Sequence, residues 1–286
     1  MSPIVNYVIM IIAFIAMLWA NQQFKSKGVP WGRPAAGLFG IIAVFFALFA
    51  LWNSVTGTER ITNTIIAREN KYTQISYKKL GDHLGAYYQD KTLLIIKQNF
   101  GESAEREALV MDALKEGLQN RMEIKVVMLG EEMDPNNPDA AMMGPEYMLT
   151  PEEFEKVLYE NVPGYQMKAD PEKDDLLDPM TPGNPRNTVV LSMMGLPMDM
   201  DNMPLWNKKE EERPVIALVN ANLFGMKQRI SDGYVSLVMT HNPTAVYDPD
   251  AEIPDSENEA FDSRFILITD LNVNDKATTY PSLFGE

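Results

Sequence analysis

The chain has 286 residues and carries 40 acidic against 25 basic side chains, which gives a formal net charge of −15. A protein this acidic repels the phosphate backbone of nucleic acids. No nucleic-acid partner is therefore expected. The sequence contains no cysteine, which excludes disulfides, thiolate metal sites and thiol nucleophiles. Beyond the apolar N-terminal part, roughly 230 residues remain, enough for one large α/β domain or two small ones.

Two long apolar runs open the chain, at residues 4–20 and 35–52. Each is near the lower limit of about 17–25 apolar residues for crossing a bilayer. Tryptophans lie at the ends of the runs, where interfacial aromatic belts belong, and small residues recur along both, which lets two helices pack closely. We therefore predict a transmembrane hairpin over residues 1–55, in contact with the lipid bilayer.

A cleaved signal peptide and a buried helical hairpin are the two alternatives. A signal peptide has a basic start and a small-x-small cleavage site, whereas this chain begins with the uncharged stretch MSPIVN. A chain of this size rarely buries two helices that are apolar all round. The two-span interpretation is therefore favoured.

The connector between the runs carries every charge found in the first 58 residues, and all of these charges are positive: Lys25, Lys27 and Arg33. Short loops rich in Lys and Arg remain in the cytoplasm. We therefore predict a two-pass protein of the inner membrane, with both termini and the C-terminal domain on the periplasmic side. Several basic residues also follow the second run, which reduces the charge asymmetry.

Residues 56–90 are predicted to be helical, because apolar side chains recur near one stripe of a helix from Ile61 to Tyr87. Two roles are open for this helix. It continues the second span as a stalk or linker, or it packs on the globular domain as the first helix of that domain.

Residues 91–286 alternate between strand and helix patterns. Helices are predicted over 103–120, with Ser103 as N-cap, and over 150–161, with a capping box of Thr150 and Glu153. A third, short helix is predicted over 223–233. Strands are predicted over 92–98, 123–129, 188–195, 214–221, 234–241 and 264–273. This alternation predicts an α/β domain with a doubly wound, mostly parallel sheet of the flavodoxin-like kind.

One part of this pattern resembles a known family. The order TLLIIKQNFGESAEREALVMDALKEGL, EIKVVML, NTVVLSMMGLP and RPVIALVNANLFGMKQRISDGYVSLVMTHNP resembles one lobe of type I periplasmic binding proteins. The resemblance covers about residues 90–245 and is one of pattern. It implies a binding-protein-like α/β fold. The chain departs from that family in having two apolar spans instead of a cleaved signal, and it is short for two lobes.

Small and polar residues follow the predicted strands. In an open parallel sheet, ligands bind beyond the carboxyl ends of the strands, so these residues form the candidate site for a small polar ligand. They are Asn99, Gly101, Gly195, Asn220, Asn222, His241 and Asn242. The alternative is that Asn and Gly simply form the turns there.

Two loops contain potential metal ligands. Met198, Met200 and Met203 have a spacing that suits one Cu(I) ion, although methionine also suits core packing and protein contacts. Residues 248–259 place Asp248, Asp250, Glu252 and Glu259 at calcium-loop positions, but Ile253 stands where the glycine of such a loop belongs. We interpret this second segment as a solvated acidic loop.

No catalytic motif stands out. The chain has no GxGxxG, Walker or GxSxG sequence and only two histidines, His83 and His241. No cofactor is predicted and enzymatic activity is not favoured. The sequence favours a non-enzymatic accessory subunit of a larger membrane protein assembly, whose partners are other membrane subunits. The alternative is a membrane-tethered binding or sensory domain for a small polar ligand.

Overall fold

A computed structural model describes residues 3–98, 103–129, 149–169, 175–197, 199–248 and 251–285. The chain forms two compact units, Met1–Glu69 and Asn70–Glu286. The boundary falls inside one helix, and each unit is described separately below.

The first unit contains the helix α1, Pro3–Lys27, and the beginning of the helix α2, Gly32–Tyr87. The two helices meet closely near their connector. The rings of Trp19 and Trp31 lie 5.7 Å apart, and a Cβ atom on Gly32 would lie 2.7 Å from the carbonyl oxygen of Ala20. The small residue at position 32 therefore permits this approach of the two backbones.

Two stretches of these helices are long and apolar enough to cross a membrane, Val8–Lys27 and Gly32–Phe49. Only 11% and 6% of their respective residues are buried by the rest of the protein. A helix in the core of a soluble protein is mostly buried, so the buried-hairpin alternative does not fit. A membrane span and an N-terminal signal sequence both remain compatible with this exposure.

The second unit is built on one six-stranded sheet with the order β2-β1-β3-β4-β5-β6. Strands β1 to β5 are parallel, and β6 runs antiparallel to β5. The strands are β1 Thr92–Gln98, β2 Glu123–Leu129, β3 Thr188–Ser192, β4 Val215–Val219, β5 Leu237–His241 and β6 Phe265–Thr269. The predicted α/β class with a mostly parallel sheet is confirmed, and the bounds of β1 and β2 agree with the prediction to the residue.

Helices and short 3₁₀ turns connect the strands. The helices are α3 Ala104–Leu118, α4 Pro151–Asn161, α5 Lys227–Ser231, α6 Glu257–Arg264, α7 Val273–Thr279 and α8 Pro281–Phe284. The 3₁₀ turns are Pro185–Asn187, Met200–Asn202, Pro204–Asn207 and Glu210–Glu212. The predicted caps are confirmed: the Ser103 hydroxyl accepts from the N–H of Arg106, and Thr150 forms a capping box with Glu153.

Three helices were not predicted. Helix α6 begins in the segment interpreted as an acidic loop and ends at Arg264, where the sixth strand was predicted to start; Ser256 caps it by accepting from the N–H of Glu259. Ser256 and Glu259 form a Ser-x-x-Glu capping signal, but the many acidic residues around them favoured interpretation as a loop. Helices α7 and α8 follow β6, which ends at Thr269 rather than at residue 273 as predicted.

Both faces of the sheet are buried, because successive side chains of the strands point to opposite sides. On one face, Leu94 and Ile96 pack with Phe154 and Leu158 of α4. On the other face, the strands pack with α2, α3 and α6. The buried side chains that α2 and α3 contribute there include Tyr72, Ile75, Leu80, Leu84, Leu114 and Leu118. The last turns of α2 are thus the first helix of the α/β unit, as one of the two open alternatives predicted.

Helices α2 and α3 approach each other through glycines. A Cβ atom on Gly117 would lie 2.0 Å from the carbonyl oxygen of Lys78, and one on Gly81 would lie 2.4 Å from that of Leu114. Neither distance is possible for a real side chain, so the two backbones lie in direct contact. At Gly85 the nearest atom would be 3.2 Å away, which is tight but tolerable.

The glycine contact leads to a graded prediction. Gly117→Ala and Gly81→Ala should each lower the free energy of unfolding by about 1–3 kcal/mol, because the helices must move apart. Urea unfolding of the full chain in detergent, followed by circular dichroism, measures this change. Gly85→Ala is the matched control in the same contact and should cost clearly less. Equal stability of all three variants and the wild type would contradict the close approach.

Candidate functional site

The carboxyl ends of the parallel strands meet at one edge of the sheet, where ligands bind in open α/β folds. The structure describes the residues that follow β3, β4 and β5, and antiparallel β6 begins at the same edge, since Phe265 pairs with His241. The predicted ligand residues Asn99 and Gly101 lie outside the described part of the chain. The site is therefore built here from the turns after β3, β4 and β5.

The turns after β3 and β4 lie side by side. Gly195 has a φ of 74°, and its carbonyl accepts a hydrogen bond of 2.5 Å from the Ser192 hydroxyl. A Cβ atom there would lie 3.6 Å from Ala221. Asn220 also has a positive φ, 50°, and its N–H donates to the carbonyl of Met239 at 2.8 Å. Both residues thus shape the backbone, and the Asn220 side chain is exposed at the edge.

The amides of Asn222 and Asn242 are used inside the chain. The Oδ1 atom of Asn222 accepts from the N–H of Phe224 at 3.0 Å. Asn242 accepts from the N–H and the hydroxyl of Thr244, at 3.0 and 2.8 Å, and donates to the carbonyl of Asp262 at 2.9 Å. These are turn-forming contacts, as in the alternative interpretation. Ligand binding by these amides stays a prediction.

His241 lies in a cluster of aromatic rings and one arginine that the sequence did not predict. Its Nδ1 atom is 3.3 Å from the Tyr247 hydroxyl, and its ring lies 5.0 Å from that of Phe265. The buried Arg264 guanidinium lies 4.0 Å from the Tyr247 ring and 4.7 Å from that of Tyr72. The cluster therefore links the turn after β5 to α2 through cation–π contacts.

This cluster could have been found only by placing β6 correctly. The sequence pattern indicated a sixth strand but not its direction, and the antiparallel pairing is what places Arg264 and Phe265 beside His241. A second missed pair, Lys97 and Glu107, joins the end of β1 to α3 by a salt bridge. Lys97 is the one charged residue of β1, and this is the sequence signal for the pair.

The methionines proposed for copper lie in different surroundings. Met203 is buried in the core, and Met200 packs against the same core cluster. Met198 lies outside the described residues. Core packing is the role that the observed contacts of Met203 support, and copper binding stays a prediction. In the part of the chain that the structure describes, no group of three or more His, Cys, Asp or Glu side chains could hold a metal ion.

Glu155 is a buried carboxylate that the sequence did not single out. Its Oε2 atom accepts from the Tyr165 hydroxyl at 2.6 Å, and its Oε1 atom accepts from the N–H of Leu205 at 2.9 Å. The Lys208 ammonium lies 4.8 Å from the Tyr165 ring. Glu155 thus ties α4 to the segment before β4. Burial raises the pKa of Glu155, and the two hydrogen bonds partly oppose this rise.

The raised pKa of Glu155 predicts an unusual pH dependence of stability. The folded protein holds the Glu155 proton more tightly than the unfolded chain does. The contribution of Glu155 to the free energy of unfolding therefore rises as the pH falls through the raised pKa. Glu155→Gln keeps the shape and removes the titration. As the pH is lowered from about 7 to about 4, the Tm of the wild type should therefore rise relative to the Tm of Glu155→Gln. Differential scanning calorimetry of the full chain in detergent measures it.

The matched control is Glu160→Gln, on the same helix, where Glu160 forms an exposed pair with Lys156 at 3.9 Å. This variant should show no comparable trend with pH, because exposed pairs contribute little. A pH-independent difference for Glu155→Gln would show that burial does not control the protonation of Glu155.

Comparison with known proteins adds no relative. No family model matches this chain, and no curated protein or solved structure matches it. The resemblance to type I periplasmic binding proteins therefore stays a prediction.

Proposed function

We propose that this protein is a non-enzymatic, membrane-anchored accessory subunit of a larger membrane protein assembly. The observation that carries the proposal is the apolar surface of α1 and α2. Along α2, Leu38, Ile41, Phe45 and Leu48 are between 59% and 70% exposed. Leaving such a side chain in water costs about 1.5–3 kcal/mol relative to burying it, so these helices require lipid or other helices around them.

The exposed apolar residues of each helix include four that follow helical spacing. The four named for α2 lie at intervals of three, four and three residues, which places them on one stripe. On α1, Val8, Ile12, Ile15 and Trp19 lie at intervals of four, three and four. Other large apolar side chains beside these stripes, such as Val44 and Phe14, are exposed as well. Two regular stripes of large side chains suit packing against neighbouring transmembrane helices as well as contact with lipid tails.

The strand-end turns favour a structural role over catalysis. The amides of Asn222 and Asn242 bond to this chain's own backbone, and Glu155 ties two elements together. We propose further that α1 and the first half of α2 form a transmembrane hairpin of the inner membrane, with the basic connector in the cytoplasm. The acidic, doubly wound α/β domain then faces the periplasm and contacts the partner subunits.

Single-cysteine labelling tests the proposed orientation, because the chain contains no cysteine of its own. In intact cells, a membrane-impermeant maleimide should label Asp255→Cys, in the exposed segment before α6. It should label Ser26→Cys, in the connector, only after the membrane is permeabilised. The cysteine-free wild type controls for background. Labelling of Ser26→Cys alone in intact cells would invert the proposed topology.

Purification in mild detergent followed by native mass spectrometry tests the subunit proposal. We expect the full chain to retain stoichiometric membrane protein partners. The double variant Phe45→Ala/Leu48→Ala should lose them at least in part, because it removes the centre of the α2 stripe. Phe39→Ala, at a half-buried position off the stripe, should retain them. A monomer without partners, from a membrane extracted under conditions that preserve other complexes, would contradict the proposal.

A further inference from the structure

A row of basic residues lies at the amino edge of the sheet, opposite the strand ends considered above. Lys91 immediately precedes β1, Arg186 lies in the 3₁₀ turn before β3, and Arg213 lies two residues before β4. Strands β1, β3 and β4 are direct neighbours in the sheet. Because β1 and β3 pair in parallel from Thr92 and Thr188 onward, the strand starts place these cations side by side.

Contacts within the row hold the three side chains at this edge. The Lys91 ammonium donates to the carbonyl of Arg186 at 2.7 Å. The Arg213 guanidinium lies 3.9 Å from the Tyr234 ring and donates through Nη1 to the carbonyl of Gly233 at 3.0 Å. The row is thus assembled from separate segments by the fold and is not a run of basic sequence.

One carboxylate pairs directly with the row. Among the residues that the structure describes, the ion pair of the row is between Arg186 and Glu210, at 2.9 Å. Asp270 acts on the neighbouring Tyr88 and adds a second acidic group at this edge. Further charged groups, Asp90, Arg121 and Glu123, line the same surface hollow as Lys91. Within the described part of the chain, Lys91 and Arg213 form no salt bridge with a carboxylate, so two of the three cations are not paired directly.

Two nitrogen atoms of the row lack a hydrogen-bond acceptor in the described structure. They are Nη1 of Arg186 and Nε of Arg213, and both atoms are buried. Arg213 as a whole is only 4% exposed. A buried guanidinium N–H without an acceptor is costly, so these two donors are suited to an additional acceptor that carries negative charge.

The repulsion between neighbouring cations contributes to the lowered pKa values of Lys91 and Arg213. Burial lowers the pKa of Lys91, and the nearby charge of Arg186 lowers it further. Burial also lowers the pKa of Arg213. There Tyr234 and Glu210 act in the opposite direction, while Arg186 again disfavours the charged form. A bound anion would relieve this repulsion.

We propose that Lys91, Arg186 and Arg213 form a binding site for a phosphate-type oxyanion. Arginine presents its N–H groups in a planar fork that matches the oxygens of a tetrahedral oxyanion, and lysine adds a point charge. The two cations without a direct carboxylate partner suit phosphate, which is a mixture of monoanion and dianion near neutral pH. The Glu210 side chain, which is 69% exposed, pairs with Arg186 when the site is empty and moves away when the anion binds.

Binding is tested with the full chain in detergent, titrated with sodium phosphate at constant ionic strength set by sodium chloride. The proposal expects saturable binding in isothermal titration calorimetry and broadening of the phosphorus-31 resonance. Glycerol phosphate forms a second arm. If it binds as well as inorganic phosphate, the natural ligand is a phosphomonoester group; if only inorganic phosphate binds, the site takes the free ion. Binding of neither would overturn the proposal.

Substitutions in the row separate a binding role from a structural one. Arg186→Gln and Lys91→Gln should each weaken phosphate binding about tenfold, the value of one charged hydrogen bond. Glu210→Gln should strengthen it, because it removes the competing carboxylate. A purely structural row would not give opposite effects. The controls are Lys156→Gln, an exposed lysine on α4 paired with Glu160, and Glu211→Gln, and both should bind as the wild type does.

Circular dichroism shows whether each variant is folded. If Arg186→Gln and Lys91→Gln do not fold, the comparison of Glu210→Gln with Glu211→Gln decides, since both change only exposed carboxylates. Unchanged affinity in Glu210→Gln, or equal loss in Lys156→Gln and the row variants, would overturn the proposal. This site is independent of the subunit proposal, which the purification experiment tests separately.

Discussion

The contact between α2 and α3 at Gly81 and Gly117 is the constraint on which the rest of the α/β unit depends. It brings two backbones together without intervening side chains, and so allows the leucines of both helices to reach the same face of the sheet. Because α2 is also the helix that contains the second apolar stretch, one continuous helix supplies both a segment apolar enough to cross a membrane and a wall of the core. Under the proposed membrane placement, the sequence from Gly32 to Tyr87 must satisfy two different solvents along its length.

Much of the fold could be predicted because its signals are local. The strand β1 is a continuous apolar run, as expected of a parallel strand covered on both faces, and the cap residues Ser103 and Thr150 use side chains only three residues from their partners. The direction of β6 could not be predicted, because it depends on pairing with β5 rather than on its own residues. Helix α6 was missed because only its cap, and not an apolar stripe, marks it.

The candidate sites were less predictable than the fold. The strand-end rule indicates where a ligand would bind, but it does not show whether an amide is free to bind one, and Asn242 uses its amide within its own turn. Glu155 and Arg213 were missed for a related reason. Their roles arise from burial against segments that are distant in sequence, such as Leu205 and Gly233. No spacing rule on a single segment encodes such contacts.

The position of β1 inside the sheet has a consequence for how the chain folds. Strand β1 pairs with β2 across the single helix α3, but its other neighbour, β3, begins only at Thr188. Closing a long loop costs more entropy than closing a short one, and such pairings form late. On a ribosome, the β1–α3–β2 segment emerges before β3. Until β3 is available, one edge of β1, whose five central residues are buried in the folded protein, has no partner strand.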